Sequence, residues 1–389
     1  MRTLNRSIVL NTIKTFGLID RARIARHINL SPATVTTITA DLITEGLVFE
    51  KEPGDSRGGR RPILLAINPQ GAYVVGIKLT ETHAIAALTD LEATVLVKRS
   101  SRLTGSDPES AMELMAELTH ELLLEAGVPA EKLIGVGVGL AGIVDFQKGI
   151  LRQGTYLDWR NLPVREMLSE KIKADVYIDN DVNTLSLAEV WFGCGQGIEN
   201  FLTVTIGRGV GLGIVTNSQF YRGVGGGAGE FGHTVIDPDG ILCDCGKRGC
   251  LETMVGDHGL LSQARSAYEE GKLVFMPQET GEIAQMAELG NPTAIEILSR
   301  SGSVLGQSIA NLVNLFNPER ILISGEGLSR GPVFFEALKS SVRKFALPDL
   351  YADLDLRIES WGDDVWARGA ASLVLRSLFE SPVHEIKKQ

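Results

Sequence analysis

The chain has 389 residues, room for two or three domains, and its 44% hydrophobic and 22% charged content is that of a soluble globular protein. No apolar run approaches the ~18 residues of a membrane span. The amino terminus, MRTLNRSIVLNTIKTFG, has no signal-peptide core or cleavage site, so a cytoplasmic protein without a membrane partner is expected. A net charge of −10 argues against nucleic-acid binding by the molecule as a whole.

The charge is unevenly spread. Residues 1–62 hold ten Lys and Arg against six Asp and Glu, a local +4 that leaves −14 for the remainder. A small basic head on an acidic body suggests separate tasks. In the head, Leu4, Ile8, Ile13 and Phe16 share roughly one face of a first helix, which Gly17 ends. Asp20 can cap a second helix, RARIARHI, with Ile24, Ala25 and Ile28 inward. After a short turn at Asn29-Leu30, Ser31 caps a third helix. Pro32 takes its first position, where the missing N–H is no loss. Val35, Ile38, Leu42 and Leu47 mark the buried side. Ser31 and Ala33 at its start, with Thr34, Thr36, Thr37 and Thr39, are short enough to let the helix lie in a DNA groove.

Beyond Gly46 the chain reads as two strands around a tip rich in Gly and Arg. Three helices and a hairpin make a winged helix-turn-helix over 1–70, its third helix entering the major groove. Arg57, Arg60 and Arg61 on the wing would meet phosphates or the minor groove. The other reading is a small helical interaction domain; the caps, turn length and basic wing together favour DNA. One such head binds weakly, so a homodimer or homotetramer reading two half-sites of double-stranded operator DNA is expected.

From Gly71 the pattern changes to three strands with short turns, a helix over 107–128, and LIGVGVGLAGIVD, a buried strand running into a Gly-rich turn. KADVYIDN is a strand, followed by a helix that begins near Asn180-Asp181. FLTVTIGRGVGLGIVTNSQFYRG then repeats the opening plan of the body. Helices follow at 256–270, 280–289, 293–315 and 363–379, with the strand RILIS before the last of them. Two copies of a hairpin-plus-helix unit predict a duplicated α/β fold with a cleft between two lobes.

Three of the four cysteines fall within 243–250, and clustering of that kind favours a metal over a disulfide framework. His233, Cys243, Cys245 and Cys250 are spaced His-x9-Cys-x-Cys-x4-Cys, a ligand set for structural zinc. Four protein ligands leave no position for a reactive water. Three free thiols in a turn is the alternative. Cys194 stands alone and reads as a buried structural thiol.

Four segments carry a resemblance: GLAGIVD at 139–145, NDVNTLSLAE at 180–189, GAGEFGH at 227–233 and CDCGKRGCLE at 243–252. They resemble the ROK family of repressors, open reading frames and sugar kinases, and within it the branch of xylose and N-acetylglucosamine repressors. The resemblance implies an actin- and hexokinase-like sugar-kinase fold over 71–389. Its first lobe would be about 71–180 plus helix 363–379, and its second about 181–362. It also implies a sugar effector held by Asn180, Asp181, Glu230, His233 and Glu252, with Gly142 and Thr155 aligned less firmly. Amides and carboxylates suit a polyol that must be met by converging hydrogen bonds. Asn180-Asp181 could instead cap the following helix.

Family kinases hold ATP phosphates on a Gly-rich turn after the first strand of the body. Here that segment is Lys78-Leu79-Thr80-Glu81-Thr82-His83, with neither glycine present and Lys78 in place of the Asp. The second loop, IGRGVGLG, has Arg208 where kinases carry Thr. Asp181 occupies the position of the kinase base, without a phosphate donor to serve. No catalytic residue is therefore expected, and the chain reads as a sugar-responsive repressor of sugar-utilisation genes, xylose among the candidates. A kinase with an appended head, or a repressor controlled by a protein partner, are the alternatives.

Overall fold

The computed structural model describes residues 2–51, 62–359 and 364–379. Arg57, Arg60 and Arg61 lie outside the described residues.

The head comprises α1 (Arg2–Phe16), β1 (Ile19–Asp20), α2 (Arg21–His27), α3 (Pro32–Thr44), β2 (Val48–Lys51) and β3 (Leu64–Ile67). The three strands form an antiparallel sheet in the order β1-β3-β2. Asp20 accepts from the Arg23 N–H and Ser31 from the Thr34 N–H, so both N-caps form as the sequence dictates. Asn29, at φ 54, makes the turn between α2 and α3.

Two expectations for the head need correction. The fully buried side of α1 is Val9, Leu10 and Ile13, while Leu4, Ile8 and Phe16 are half-buried. Ser7 and Thr12 join the buried side; Thr12 returns its hydroxyl proton to the Ile8 carbonyl, which lets a polar residue go inside. Thr39 is also fully buried and leaves the groove-facing set. It sits one turn beyond Val35, accepts from Arg21 Nε at 3.0 Å and donates to the Thr36 carbonyl.

Contacts divide the chain into two compact units, Met1–Ala188 with Asp363–Gln389, and Glu189–Gly362. Beyond the head, the first unit holds a meander of β4 (Tyr73–Leu79), β5 (His83–Thr89) and β6 (Val95–Arg102), then α4 (Pro108–Glu125) and β7 (Leu133–Leu140). A small antiparallel sheet follows, β8 (Gly142–Asp145), β9 (Ile150–Gly154) and β10 (Arg160–Leu162). The GIVD segment is therefore a strand, not a turn. Gly142 has φ 128, and a β-carbon there would lie 2.2 Å from the Gln153 carbonyl oxygen. After α5 (Val164–Ile172) come β11 (Val176–Asn180) and α6 (Asp181–Phe192). The main sheet runs β11-β7-β4-β5-β6, with β4, β7 and β11 parallel.

The second unit holds β12 (Phe201–Ile206), β13 (Val210–Thr216) and β14 (Gln219–Phe220), an irregular stretch, then α7 (Glu252–Val255), α8 (Asp257–Glu269), α9 (Thr280–Glu288) and α10 (Pro292–Phe316). β15 (Arg320–Ser324), α11 (Gly331–Phe345), α12 (Pro348–Ala352) and β16 (Asp355–Ile358) complete it. Its sheet runs β14-β13-β12-β15-β16, with β12, β15 and β16 parallel. Both sheets thus repeat one plan: a three-stranded meander whose first strand gains two parallel neighbours on its other side. The duplication lies in topology. Among the described residues no helix is long and apolar enough to cross a membrane.

The final helix, α13 (Asp364–Phe379), returns to the first unit. Its seat is written in strand periodicity. In β7, Val136 and Val138 point into the core with Met112 and Met115 of α4, while Gly135, Gly137 and Gly139 line the opposite face. β4 repeats this with Val75 and Ile77 around Gly76. On the bare face the backbone of α13 comes close: a β-carbon on Gly76 would lie 1.8 Å from the Ala367 carbonyl oxygen, and one on Gly137 1.8 Å from that of Ala370. Gly137→Ala is expected to destabilise by about 1–3 kcal/mol through overpacking. Gly127→Ala, at φ 63 with nothing within 4 Å, should cost only the left-handed backbone penalty of about 1 kcal/mol. Comparing urea unfolding midpoints of the two variants checks the ranking.

Candidate functional site

The site residues expected from the sequence fall in two groups, one in each unit. In the first unit they gather at the carboxyl ends of β4, β7 and β11. Asn180 closes β11. Its Oδ1 accepts from the Val182 and Asn183 N–H groups at 2.8 and 3.3 Å, and its Nδ2 donates to the Gly142 carbonyl at 3.0 Å. The capping role of Asn180 is therefore real, and the same amide ties the start of α6 to the start of β8. Asp181 accepts from the Val182 N–H at 3.0 Å and is half-buried. Thr155 has an exposed side chain; its N–H donates to the Ala141 carbonyl at 3.2 Å, which places it beside Gly142.

The segment where a phosphate loop would lie is a tight hairpin turn between β4 and β5. The Thr80 N–H donates to the His83 carbonyl at 2.8 Å. Thr80 Oγ1 donates to the same carbonyl and accepts from the Thr82 and His83 N–H groups at 3.3 and 3.0 Å. Three amides of the turn are thus spent within it. Lys78 is 7% exposed and holds its ammonium 3.7 Å from the centre of the Trp366 ring on α13. Beside the turn lies a recess lined by Glu81, Ala141, Leu151, Tyr156, Leu157 and Trp159. Sequence reading overlooked both the recess and the Lys78–Trp366 pair. The TYLDW run at 155–159, two aromatics in a loop, was the available signal for the first; nothing in the sequence joins residues 78 and 366.

In the second unit, His233, Cys243, Cys245 and Cys250 come together with one ligand atom from each, all within 4.8 Å of one another. Cys243 Sγ lies 3.6 Å from His233 Nδ1, and Cys245 Sγ 3.6 Å from Cys250 Sγ. A tetrahedral zinc with Zn–S near 2.3 Å and Zn–N near 2.0–2.1 Å separates its ligands by about 3.5–3.8 Å. The donor set and its spacing therefore fit a metal ion. Backbone bonds hold the loop: the Cys243 N–H donates to Lys247 and the Gly246 N–H to Cys243, both at 2.8 Å. Gly249, at φ 66, passes so close to Asp237 that a β-carbon would lie 1.4 Å from its carbonyl oxygen. Lys247 Nζ donates to the His233 carbonyl at 2.7 Å.

The surroundings disfavour the thiolate at two of the three cysteines. Burial, with the neighbouring thiols, pushes Cys250 up to about 12, and burial also raises Cys243. For exposed Cys245 burial works the same way, but the Lys247 amide and the adjacent thiols outweigh it and the net shift is down. A bound divalent ion would supply stabilisation of the thiolates. Cys194 lies outside this cluster; burial and then the Glu189 carboxylate push it up to about 12, which suits an inert thiol.

With Nδ1 turned to the cysteines, His233 leaves Nε2 at 3.9 Å from Glu230 Oε2. Gly229, at φ 92, sets the entry to this step, and a β-carbon there would lie 2.1 Å from the Leu212 carbonyl oxygen. Glu252 opens α7, and its Oε2 accepts from the Val210 N–H at 3.2 Å. The loop that carries the histidine and cysteines thus ends on a carboxylate anchored to β13. In the nearby loop after β12, the Gly207 carbonyl accepts from the Asp257 N–H and from buried Arg330, which also pairs with Asp257 at 2.8 Å.

A sequence model of the ROK family matches residues 74–377. The xylose repressor of Caldicellulosiruptor bescii is 30% identical over 390 residues, 98% of each chain. The DNA-binding transcriptional dual regulator NagC of Escherichia coli K12 is 30% identical over 381 residues, 97% of this chain and 94% of that one. Among solved structures, a ROK family transcriptional regulator described as a homolog of the E. coli MLC protein superposes with a TM-score of 0.87 at 26% identity, covering 99% of this chain and 98% of its own.

Cys245→Ser should empty the cluster of metal. Metal analysis of the purified variant is expected to show loss of about one equivalent, with Tm lower by roughly 5–10 °C. Retention of full metal content would remove Cys245 from the ligand set.

Proposed function

The chain belongs to the ROK family, and from that premise we propose that it is a DNA-binding transcriptional repressor of sugar-utilisation genes. Its operator affinity changes when a sugar binds the body. The observation that carries the choice of sensor over kinase is the Thr80–His83 turn, whose amides are engaged internally where a kinase would hold phosphates. The span of the similarity supports it as well. Relatives named as a repressor and a transcriptional regulator match 98% and 97% of this chain, head included.

In this reading residues 1–70 are a winged helix-turn-helix and α3 is the helix that meets the major groove, with Thr36 and Thr37 exposed on it and Thr34 partly so. Arg57, Arg60 and Arg61 serve the wing. The body takes a sugar through Asn180, Asp181, Gly142 and Thr155 of the first unit and Glu230, His233 and Glu252 of the second. Their amides, carboxylates and imidazole match hydroxyl groups in number and type. Asp181 accepts a hydrogen bond and transfers no proton. The metal is structural zinc, whose service is to fix Glu230 and His233. A homodimer or homotetramer presents two heads to two half-sites.

In this reading the first unit offers a route from sugar to head. α13 packs on β4 and β7, holds Lys78 through Trp366 near its start, and at its end offers the Phe379 ring to Lys14 of α1, 4.7 Å from the ring centre. A ligand that binds one setting of this helix better than another shifts the head by that difference, typically ~1–3 kcal/mol.

Gel shifts on the promoter upstream of its own coding region test the proposal. The wild type should change operator affinity about 5–150-fold with its sugar. Glu230→Gln should lose that response while keeping metal content and operator binding. A coupled assay of ATP consumption over a sugar panel should show no turnover; robust turnover would make the chain a kinase with an appended head.

A further inference from the structure

We propose that Cys245 and Cys250 form an oxidation site for hydrogen peroxide. The exposed Cys245 sulfur reduces the peroxide, the buried Cys250 closes a disulfide on it, and the metal-ligand set is broken. The inference goes beyond the sensor reading and holds whatever molecule the body binds.

The three sulfurs differ in access. Cys245 is exposed, while Cys243 is 4% and Cys250 0% exposed. Oxidation of a cysteine follows its exposure and thiolate character. Cys245 is thus the sulfur that a small peroxide meets first. Direction selects its partner. Cys243 Sγ faces His233 Nδ1 at 3.6 Å, and Asp244 alone separates it from Cys245, which leaves little room for the ~90° dihedral of a disulfide. Cys250 Sγ stands 3.6 Å from Cys245 Sγ, with residues 246–249 between them to absorb closure to about 2.0 Å. A β-carbon on Gly246 would have nothing within 4 Å, so this turn can tighten without collision. Cys250 is the anchored member. It forms an isolated bridge with Val235, and its sulfur lies 3.8 Å from the His233 carbonyl.

The chemistry balances with peroxide as the oxidant. A bound metal keeps coordinating thiols deprotonated. The Cys245 thiolate attacks one peroxide oxygen, the O–O bond breaks, and the other oxygen leaves as hydroxide. Cys245 is then a sulfenic acid. The Cys250 thiolate attacks Cys245 Sγ, the S–O bond breaks, and a second hydroxide leaves as the S–S bond forms. Two thiolates lose two electrons, the peroxide gains them, and solvent protonates both hydroxides to water. Cys243 and His233 remain, too few donors to close a tetrahedral shell. The step that carries Glu230 beside His233 then loses its anchor.

Hydrogen peroxide added to the full-length, zinc-loaded protein tests this, with metal release followed by a chromogenic chelator. About one equivalent of zinc should appear, and two of the four thiols should be lost with it. Trypsin cuts after Lys247 and Arg248, so peptides 223–247 and 249–265 should stay joined, and fragmentation should place the link on Cys245 and not on Cys243. Dithiothreitol with added zinc should restore both metal and thiols. Cys194→Ser should release metal at the wild-type rate; slower release would make Cys194 a participant and overturn the pairing. Zinc retained under peroxide overturns the inference. So does zinc lost with Cys245 oxidised to a sulfinic acid and no link, or with the link on Cys243. These readouts use no sugar and no operator, so their failure leaves the sensor reading standing.

Discussion

Much of the first unit depends on one close approach, that of the α13 backbone to a sheet face without side chains. Gly76 and Gly137 bring strand and helix backbones within van der Waals contact, and Ala367, Ala370 and Ala371 keep the helix side equally bare. On its other face the same sheet carries Val75, Ile77, Val136 and Val138 into an ordinary core. Packing this tight leaves α13 little freedom to slide, because interiors respond to displacement in steps. A contact made at one end of the helix is therefore felt at the other. Trp366 and Phe379 occupy those ends, one against the end of β4 and the other against α1.

The second unit solves a different problem. Between β14 and α7 some thirty residues make no regular strand, only short 3-10 turns and isolated bridges at Val235–Cys250 and Leu242–Arg248. Val224, Ile241 and Leu242 are exposed, so this stretch lacks an apolar core of its own. The cluster of one histidine and three cysteines gathers this stretch around four side chains that could hold a metal ion. Glu230 and Glu252 then owe their positions to two separate anchors: the step that fixes His233, and the Val210 amide.

The sequence made some of this plain and hid the rest for identifiable reasons. Caps at Asp20 and Ser31, the strand alternation and the metal spacing are local signals, and each reappears in the fold. The burial of Thr39 is not legible in the sequence, because a threonine reads as polar until a partner such as Arg21 is known. The buried face of the first helix departs from its apolar pattern for a similar reason, since Thr12 hides its hydroxyl on Ile8. β1 and β16 are short, and a strand of two or four residues has too few positions to show a period. GIVD looked like a turn because its glycine suggested one; that glycine is needed for close passage to Gln153. The alternation GVGVG was in view throughout, and its meaning, a bare face awaiting a helix, needed only the period of two. The candidate site was legible as residue types, but the internal bonding of the Thr80 turn required coordinates.

The threonines of α3 carry a consequence for base recognition. Thr36 and Thr37 donate their hydroxyl protons to the Pro32 and Ala33 carbonyls one turn back. Each hydroxyl is then left with lone pairs, and each side chain with a methyl group. If α3 is the helix that enters the groove, these two positions accept hydrogen bonds and do not give them. Such a surface matches the exocyclic amino groups of adenine and cytosine and the 5-methyl of thymine, and has nothing to offer the paired acceptors of guanine. Discrimination against the guanine edge, in favour of the edges of adenine, cytosine and thymine, would then arise at these two positions from protons the helix has kept for itself.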